Sequence, residues 1–281
     1  MFFLYGYGGT GKTFMWTTLS SALRSQGKIV LTVASSGIAS LLLPGGRTTH
    51  SKFKIPVPTL EHSVCNITKG SELSDLMKLA NLIIWDEAPM AHKYCFEALD
   101  RTLKDIMREK NKTDSIFGGK VVVFGGDFRQ ILPVIPRGSR SDIVHATINS
   151  SYLWDHCQIM NLTKNIRLLQ NGLQDSTIAE IEEFSSWIIK IDNGALNEPN
   201  DGLVDIEMPS ELLISEYNDP IQAIVNTTYP GLMQKYKDEG FLISRAILAS
   251  RIETVDQINQ SVLEPIPGQS LYIIKNLLNH H

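Results

Sequence analysis

The stretch Phe2 to Trp16, FFLYGYGGTGKTFMW, restricts the fold of this chain more than any other. Phe2 to Tyr5 is an apolar and aromatic run suited to a buried strand. Gly6-Tyr7-Gly8-Gly9-Thr10-Gly11-Lys12-Thr13 then fits G-x-x-x-x-G-K-[ST], and Phe14 to Gln26 reads as a helix. Glycines at 6, 8, 9 and 11 let successive backbone N–H groups converge on phosphate oxygens with no Cβ in the way. Lys12 supplies a point charge for the outer phosphates, Thr10 lies within the loop, and the Thr13 hydroxyl is a ligand for Mg²⁺. The positive end of the following helix adds to the anion site. A plain glycine-rich turn is the competing reading, and the order strand, loop, helix favours the phosphate site.

Strands alternating with helices continue after this start, which predicts an α/β protein with a parallel sheet. Lys28 to Ala34 is a second β-branched apolar run, followed by Ser35, Ser36 and Gly37 and a short helix, Ile38 to Leu43, stopped at Pro44-Gly45-Gly46. Arg47 to Pro58 reads as a loop in which Thr49, His50, Lys52, Phe53 and Lys54 interleave hydroxyl, base and aromatic ring. Such a loop at the carboxyl edge of a sheet can hold a nucleic-acid backbone and stack a base on Phe53; a polar connection with one buried aromatic is the alternative.

A helix over Glu72 to Ala80 leads to Asn81-Leu-Ile-Ile-Trp85-Asp86-Glu87-Ala88. An apolar strand ending in two acids is the companion a phosphate loop needs, with Asp86 for Mg²⁺ and Glu87 to orient or deprotonate the attacking water. Helix N-capping is the other use for such acids. Lys93 to Lys112 has one apolar stripe and reads as a structural helix. Lys120 to Phe124 is another buried strand and runs into Gly125-Gly126-Asp127-Phe128-Arg129-Gln130, where Gln130 is placed to sense a terminal phosphate or water, unless Gly-Gly-Asp is simply a turn. Ser141 to Ser150 is expected to be helical. His156 to Leu162 is expected to be a strand, followed by Arg167, which either stabilises phosphate charge or pairs with an acid. From Gln170 the texture changes, with an amphipathic helix at Thr177 to Lys190, a turn-rich link near Asp192 to Gly202, and a buried strand at Phe241 to Leu248 opening a second α/β layer.

The net charge of −4 divides unevenly: up to Leu168 there are 20 Lys and Arg against 13 Asp and Glu, and from Leu169 there are 6 against 17. A weakly basic first part and an acidic second part fit two domains, with polyanion contact on the first, although ordinary solvated faces would look the same. No apolar run approaches the about 18 residues of a membrane span, and the start lacks the basic region and cleavage site of a secretory signal. Cys65, Cys95 and Cys157 have no metal spacing and suit a reducing compartment.

Six blocks follow one another as in the Pif-type ATP-dependent DNA helicases: Gly6 to Thr13, Val33 to Ala39, Arg47 to Ser51 with Phe53 to Pro56, Asp86 to Met90, Gly125 to Gln130, and Leu162 to Arg167. The version looks like the plant copies associated with rolling-circle transposons. The resemblance implies a RecA-like P-loop NTPase domain over 1–168 and an incomplete second RecA-like domain over 169–281. It implies ATP and Mg²⁺ as cofactors, movement 5′ to 3′ on single-stranded DNA, unwinding of forked duplex DNA, a nuclear location, and work in DNA repair, recombination and telomere maintenance. The expected state is a monomer with no membrane association. By the same resemblance Gly6, Gly8, Gly9, Thr10, Gly11, Lys12 and Thr13 bind the nucleotide, Thr13 and Asp86 the metal, and Lys12, Glu87, Gln130 and Arg167 serve catalysis. Ser35, Ser36, Gly37, Thr49, His50 and Phe53 would lie on the DNA path.

This chain departs from the pattern in having only five residues before Gly6, where family members carry a glutamine that reads adenine, and Ile247 to Ile252 replaces a Pro-Thr-Asn-like stretch. It stops before the second domain's later motifs, so a fragment with slow hydrolysis and little unwinding is expected. A non-motor nucleotide-binding module and, less favoured, a small-molecule kinase are the alternatives.

Overall fold

A computed structural model describes residues 1–108, 115–166, 175–195 and 205–267. The chain divides into two compact units, 1–195 and 196–281. In the first, β1 (Phe2–Gly6), α1 (Lys12–Arg24), β2 (Val30–Ala34), α2 (Gly37–Leu41), β3 (Arg47–Thr48) and α3 (Thr49–Phe53) come in succession. They are followed by α4 (Glu72–Leu79), β4 (Leu82–Asp86), α5 (Lys93–Ile106), β5 (Val121–Gly126), α6 (Arg140–Ala146), β6 (Gln158–Leu162) and α7 (Asp175–Asp192). Among the described residues the sheet has six strands in the order β3-β2-β4-β5-β1-β6, every pair parallel. The expected α/β class with a parallel sheet is thus what forms.

Both faces of the sheet are covered, which explains why its central strands read as continuous apolar runs. Successive side chains point to opposite faces. Phe3, Val33, Ile83, Trp85, Val122 and Phe124 therefore enter one core, and Leu4, Val30, Ile84 and Val123 the other. The first core is aromatic at its centre: the Trp85 ring lies 4.4 Å from Phe96 and 5.9 Å from Phe124. The second is built around the fully buried Trp16 of α1. Placing β1 between β5 and β6 leaves the loop after β1 beside the carboxyl ends of its neighbours, where open parallel sheets bind ligands.

Buried polar bonds hold the approach to β5. Asp100, fully buried on α5, accepts hydrogen bonds from the Phe117 backbone N–H, from the Tyr152 hydroxyl at 2.7 Å and from Lys104 Nζ at 2.7 Å. Phe117 and Gly118 turn here with φ near 53° and 58°. Asp100→Ala would leave these donors unpaired and should lower stability by about 3 kcal/mol, measured by urea denaturation, with Asp100→Asn losing less.

Three expectations change. The 47–58 loop is largely structured: it forms the short strand β3 and the one-turn α3, whose N-terminus is capped by Thr48 Oγ1 accepting from Ser51 N. The helix expected over Ser141 to Ser150 is shorter, because the Ser139–Asp142 capping box starts it early and its end gives way to a tight turn at Ile148. In the second unit Phe241 to Leu248 is not a strand. That unit contains α8 (Pro220–Thr228), α9 (Leu232–Lys235), α10 (Glu239–Ile243) and α11 (Ile252–Leu263) among its described residues. The Asp238 side chain caps α10 by accepting from Phe241 N, and the buried Phe241 ring is covered by the Arg245 guanidinium at 4.4 Å. A capped turn and a local cation–π contact outweigh the strand preference of this short apolar run.

Candidate active site

The loop from Gly6 to Gly11 is held open from within. Gly9 and Gly11 have φ of 89° and 91°, a region that a side chain strongly disfavours. The buried Thr10 donates its hydroxyl to Tyr7 O at 2.7 Å. The buried Lys12 folds its ammonium back onto Gly6 O. Gly11 precedes α1 without a side-chain cap, and there is no acid in the first turn, so the helix start keeps its N–H groups and positive dipole for an anion. Thr13 is exposed on the rim.

The facing wall comes from β4. Asp86 closes the strand, is buried, and has its carboxyl pushed up by burial, with the Trp16 indole, the Glu87 N–H and Lys12 pulling it down. Glu87 follows with φ 50° and ψ 41°, a left-handed conformation that is strained for a residue with a side chain and turns its carboxyl away from the strand line. Burial, Asp86 and Asp127 raise the Glu87 carboxyl, and Lys12 lowers it. Among the described residues neither Asp86 Oδ1 nor Glu87 Oε2 has a hydrogen-bond partner. From β5, the buried Asp127 accepts from Arg129 N at 3.0 Å and from Gln130 N through its carbonyl, and this turn presents the exposed Gln130.

These parts share one cavity of about 370 Å³, lined by Gly8, Gly9, Lys12, Thr13, Asp86, Glu87 and Gln130 together with Ala39, Leu42 and Ile166. Gly6 lies beneath it as the acceptor for Lys12, and Thr10 braces the loop. The residues fit a nucleotide's phosphates with a divalent cation. A cradle of N–H groups and a buried ammonium face two buried carboxyl oxygens that lack partners, and Thr13 with Asp86 offers the oxygens Mg²⁺ prefers. Among the described residues no group of three or more His, Cys, Asp or Glu side chains could hold a metal. Mg²⁺ in phosphoryl-transfer sites relies on one or two protein ligands plus phosphate and water.

Two contacts invisible in the sequence tie the segment after β6 onto the loop. The Tyr7 hydroxyl donates to Thr163 O at 2.9 Å, and Ile166 N donates to Gly9 O at 3.0 Å. A Cβ on Gly11 would sit 2.7 Å from Ile166 Cδ1, a side-chain end that would have to shift, and the φ of 91° is what calls for glycine there. Arg167, the next residue, lies outside the described residues.

The residues expected on a DNA path are not equally available. Ser35 Oγ accepts from Trp85 Nε1 at 2.9 Å, and Ser36 Oγ caps α2 by accepting from Ala39 N at 3.1 Å, leaving Gly37 exposed beside them. Thr49 is fully buried, and His50 is half-buried with Nε2 3.9 Å from Cys95 Sγ. Phe53 is fully buried, 6.3 Å from the Trp85 ring, so it anchors this segment in the core and presents no face on which a base could stack. The exposed positions of the segment include Arg47, Ser51 and Lys54, of which Arg47 and Lys54 carry charge.

Comparison with known proteins agrees with this arrangement. The ATP-dependent DNA helicase Pif1 of Campylobacter jejuni is 32% identical over 204 residues, covering 70% of this chain and 41% of the relative. A solved structure of Pif1 helicase from Bacteroides in complex with ADP-AlF3 and ssDNA is 27% identical with a TM-score of 0.52, covering 69% of this chain and 43% of that one. Another, of two coordinating Pif1 helicases at forked dsDNA, is 26% identical with a TM-score of 0.55 over 70% of this chain and 45% of that one. The chain thus spans less than half the length of the relatives it matches. The model of the PIF1-like helicases matches residues 1–202, and the chain belongs to that family.

Proposed function

We propose that this chain carries the nucleotide-hydrolysing core of an ATP-dependent DNA helicase that moves along single-stranded DNA and opens forked duplexes. One observation supports this above the rest: Lys12, Thr13, Asp86, Glu87 and Gln130, contributed by three strand ends, line a single cavity. Lys12 binds the β- and γ-phosphates, and Gln130 contacts the γ-phosphate or the water. Thr13 and Asp86 hold Mg²⁺, which when bound neutralises phosphate charge. Glu87 orients the attacking water and accepts its proton as the water oxygen bonds to the γ-phosphorus and the β–γ bridging oxygen departs with ADP, leaving inorganic phosphate. Gly37, Arg47 and Lys54 are the exposed candidates for the strand's path on this unit.

On the same reading 1–168 is the first motor domain and the rest belongs to a second. The working species is a monomer, and its place of action is the nucleus, as the family resemblance implies. Among the described residues no helix is long and apolar enough to cross a membrane. The test is ATP hydrolysis with and without oligo(dT). Hydrolysis that rises several-fold with DNA supports the motor, and tight nucleotide binding with no turnover and no response to DNA supports a non-motor binding module.

A further inference from the structure

Gln130 is exposed and lines two cavities at once. One is the phosphate cavity. The other, of about 790 Å³, has Tyr7, Gly8 and Gln130 among its lining residues on the side of the phosphate loop and the turn after β5, and Phe184 and Ile188 on the side of α7. A side chain with open space on two sides is not held by close packing, so the turn that carries it depends on hydrogen bonds for its position. Within the turn, Arg129 N donates to Asp127 Oδ1 at 3.0 Å and Gln130 N to Asp127 O at 3.1 Å. A further bond leaves the turn: Arg129 Nη2 donates to Asn193 Oδ1 at 3.0 Å, across 64 positions of sequence. Asn193 follows directly on α7 and is fixed to it, its own N–H donating to Ile189 O at 3.0 Å. The Arg129 side chain thus runs from the turn to the end of α7 along the second cavity, which it also lines.

We propose that Arg129 is a positioning residue for Gln130: through Asn193 it anchors the turn to α7, so that the Gln130 amide faces the terminal phosphate instead of the second cavity. This inference rests on the reading of the first cavity as a nucleotide site with Gln130 at the γ-phosphate. Arg129 and Asn193 are both exposed, so their bond adds little to overall stability and neither is needed for the core. What it sets is the place of a group that touches a reacting phosphate, where small displacements are costly.

The test measures, on the full chain with Mg²⁺, the affinities for ATPγS and ADP by isothermal titration and the rate of ATP hydrolysis. The preference for ATPγS over ADP reads the contact to the γ-phosphate. Arg129→Ala and Asn193→Ala should each lower this preference and the turnover about 3–10-fold, the worth of one hydrogen bond, with ADP affinity unchanged. Asn193→Asp, which keeps the accepting oxygen, should behave as the unmodified protein. In a Gln130→Ala background, Arg129→Ala should change the preference by less than about twofold, because the two residues act as one unit. An Arg129→Ala protein with an unchanged preference, one that loses ADP affinity equally, or one whose effect persists without Gln130 overturns the inference. If Gln130→Ala itself leaves the preference unchanged, or the unmodified protein binds neither nucleotide, the reading of the site fails and the inference with it. If Gln130→Ala lowers the preference and Arg129→Ala does not, the inference alone fails.

Discussion

Replacing Glu87 with glutamine is expected to slow ATP hydrolysis about 10³-fold while leaving ATP affinity within a few-fold of the unmodified protein. Glutamine keeps the volume and the hydrogen-bonding reach of the side chain and tolerates the left-handed backbone as well as glutamate does, so the cavity keeps its shape. The lost function is proton acceptance. Glu87 suits that task because burial and the neighbouring Asp86 and Asp127 raise its carboxyl above the usual glutamate range, toward the basicity a general base needs near neutral pH. Single-turnover hydrolysis and equilibrium binding of a fluorescent ATP analogue separate the two effects. A variant that hydrolyses ATP at an unchanged rate would remove Glu87 from the chemistry.

The second large effect is expected at Lys12, and its pattern differs. Lys12→Ala should cost about 10²–10³-fold in turnover and should also weaken nucleotide binding, because its ammonium contributes to the ground state as well as the transition state. This ammonium donates to Gly6 O, inside the loop itself, which keeps its charge at the phosphate cradle. Lys12 also lowers both Asp86 and Glu87. Its removal takes away the positive charge that lowers both carboxyls, which favours their protonated forms. Loss of both binding and turnover at Lys12, against loss of turnover alone at Glu87, is the signature of a phosphate-binding lysine beside a separate base. Isothermal titration with ADP and a steady-state hydrolysis assay on the two variants read it directly.

The phosphate site was legible because its requirements are local. A strand, four glycines, a lysine and a threonine in one short stretch have few structural solutions, and the two acids after an apolar run have few partners other than that loop. The DNA-facing residues were less legible for a physical reason. Thr49, His50 and Phe53 alternate polar and aromatic character in a way that suits either a nucleic-acid path or a capped turn of helix, and their partners, Trp85 and Cys95, are distant in sequence. The same holds for Phe241 to Leu248, where a cap from Asp238 and the cover from Arg245 override an apolar pattern too short to choose between helix and strand.

By itself the amino-acid sequence determined the α/β class, the phosphate loop and the strand-end pair of acids at Asp86 and Glu87, since each depends on residues a few positions apart. Tertiary structure alone decided which of the candidates meet. Strand order put β5 between β4 and β1, so that Gln130 joins Lys12 and Glu87 around one cavity, and the segment after β6 lies on the loop through Tyr7 and Ile166. It also turned Phe53 inward, into the core beside Trp85. Those contacts join residues far apart in the chain, and only the packing of the sheet sets their distances.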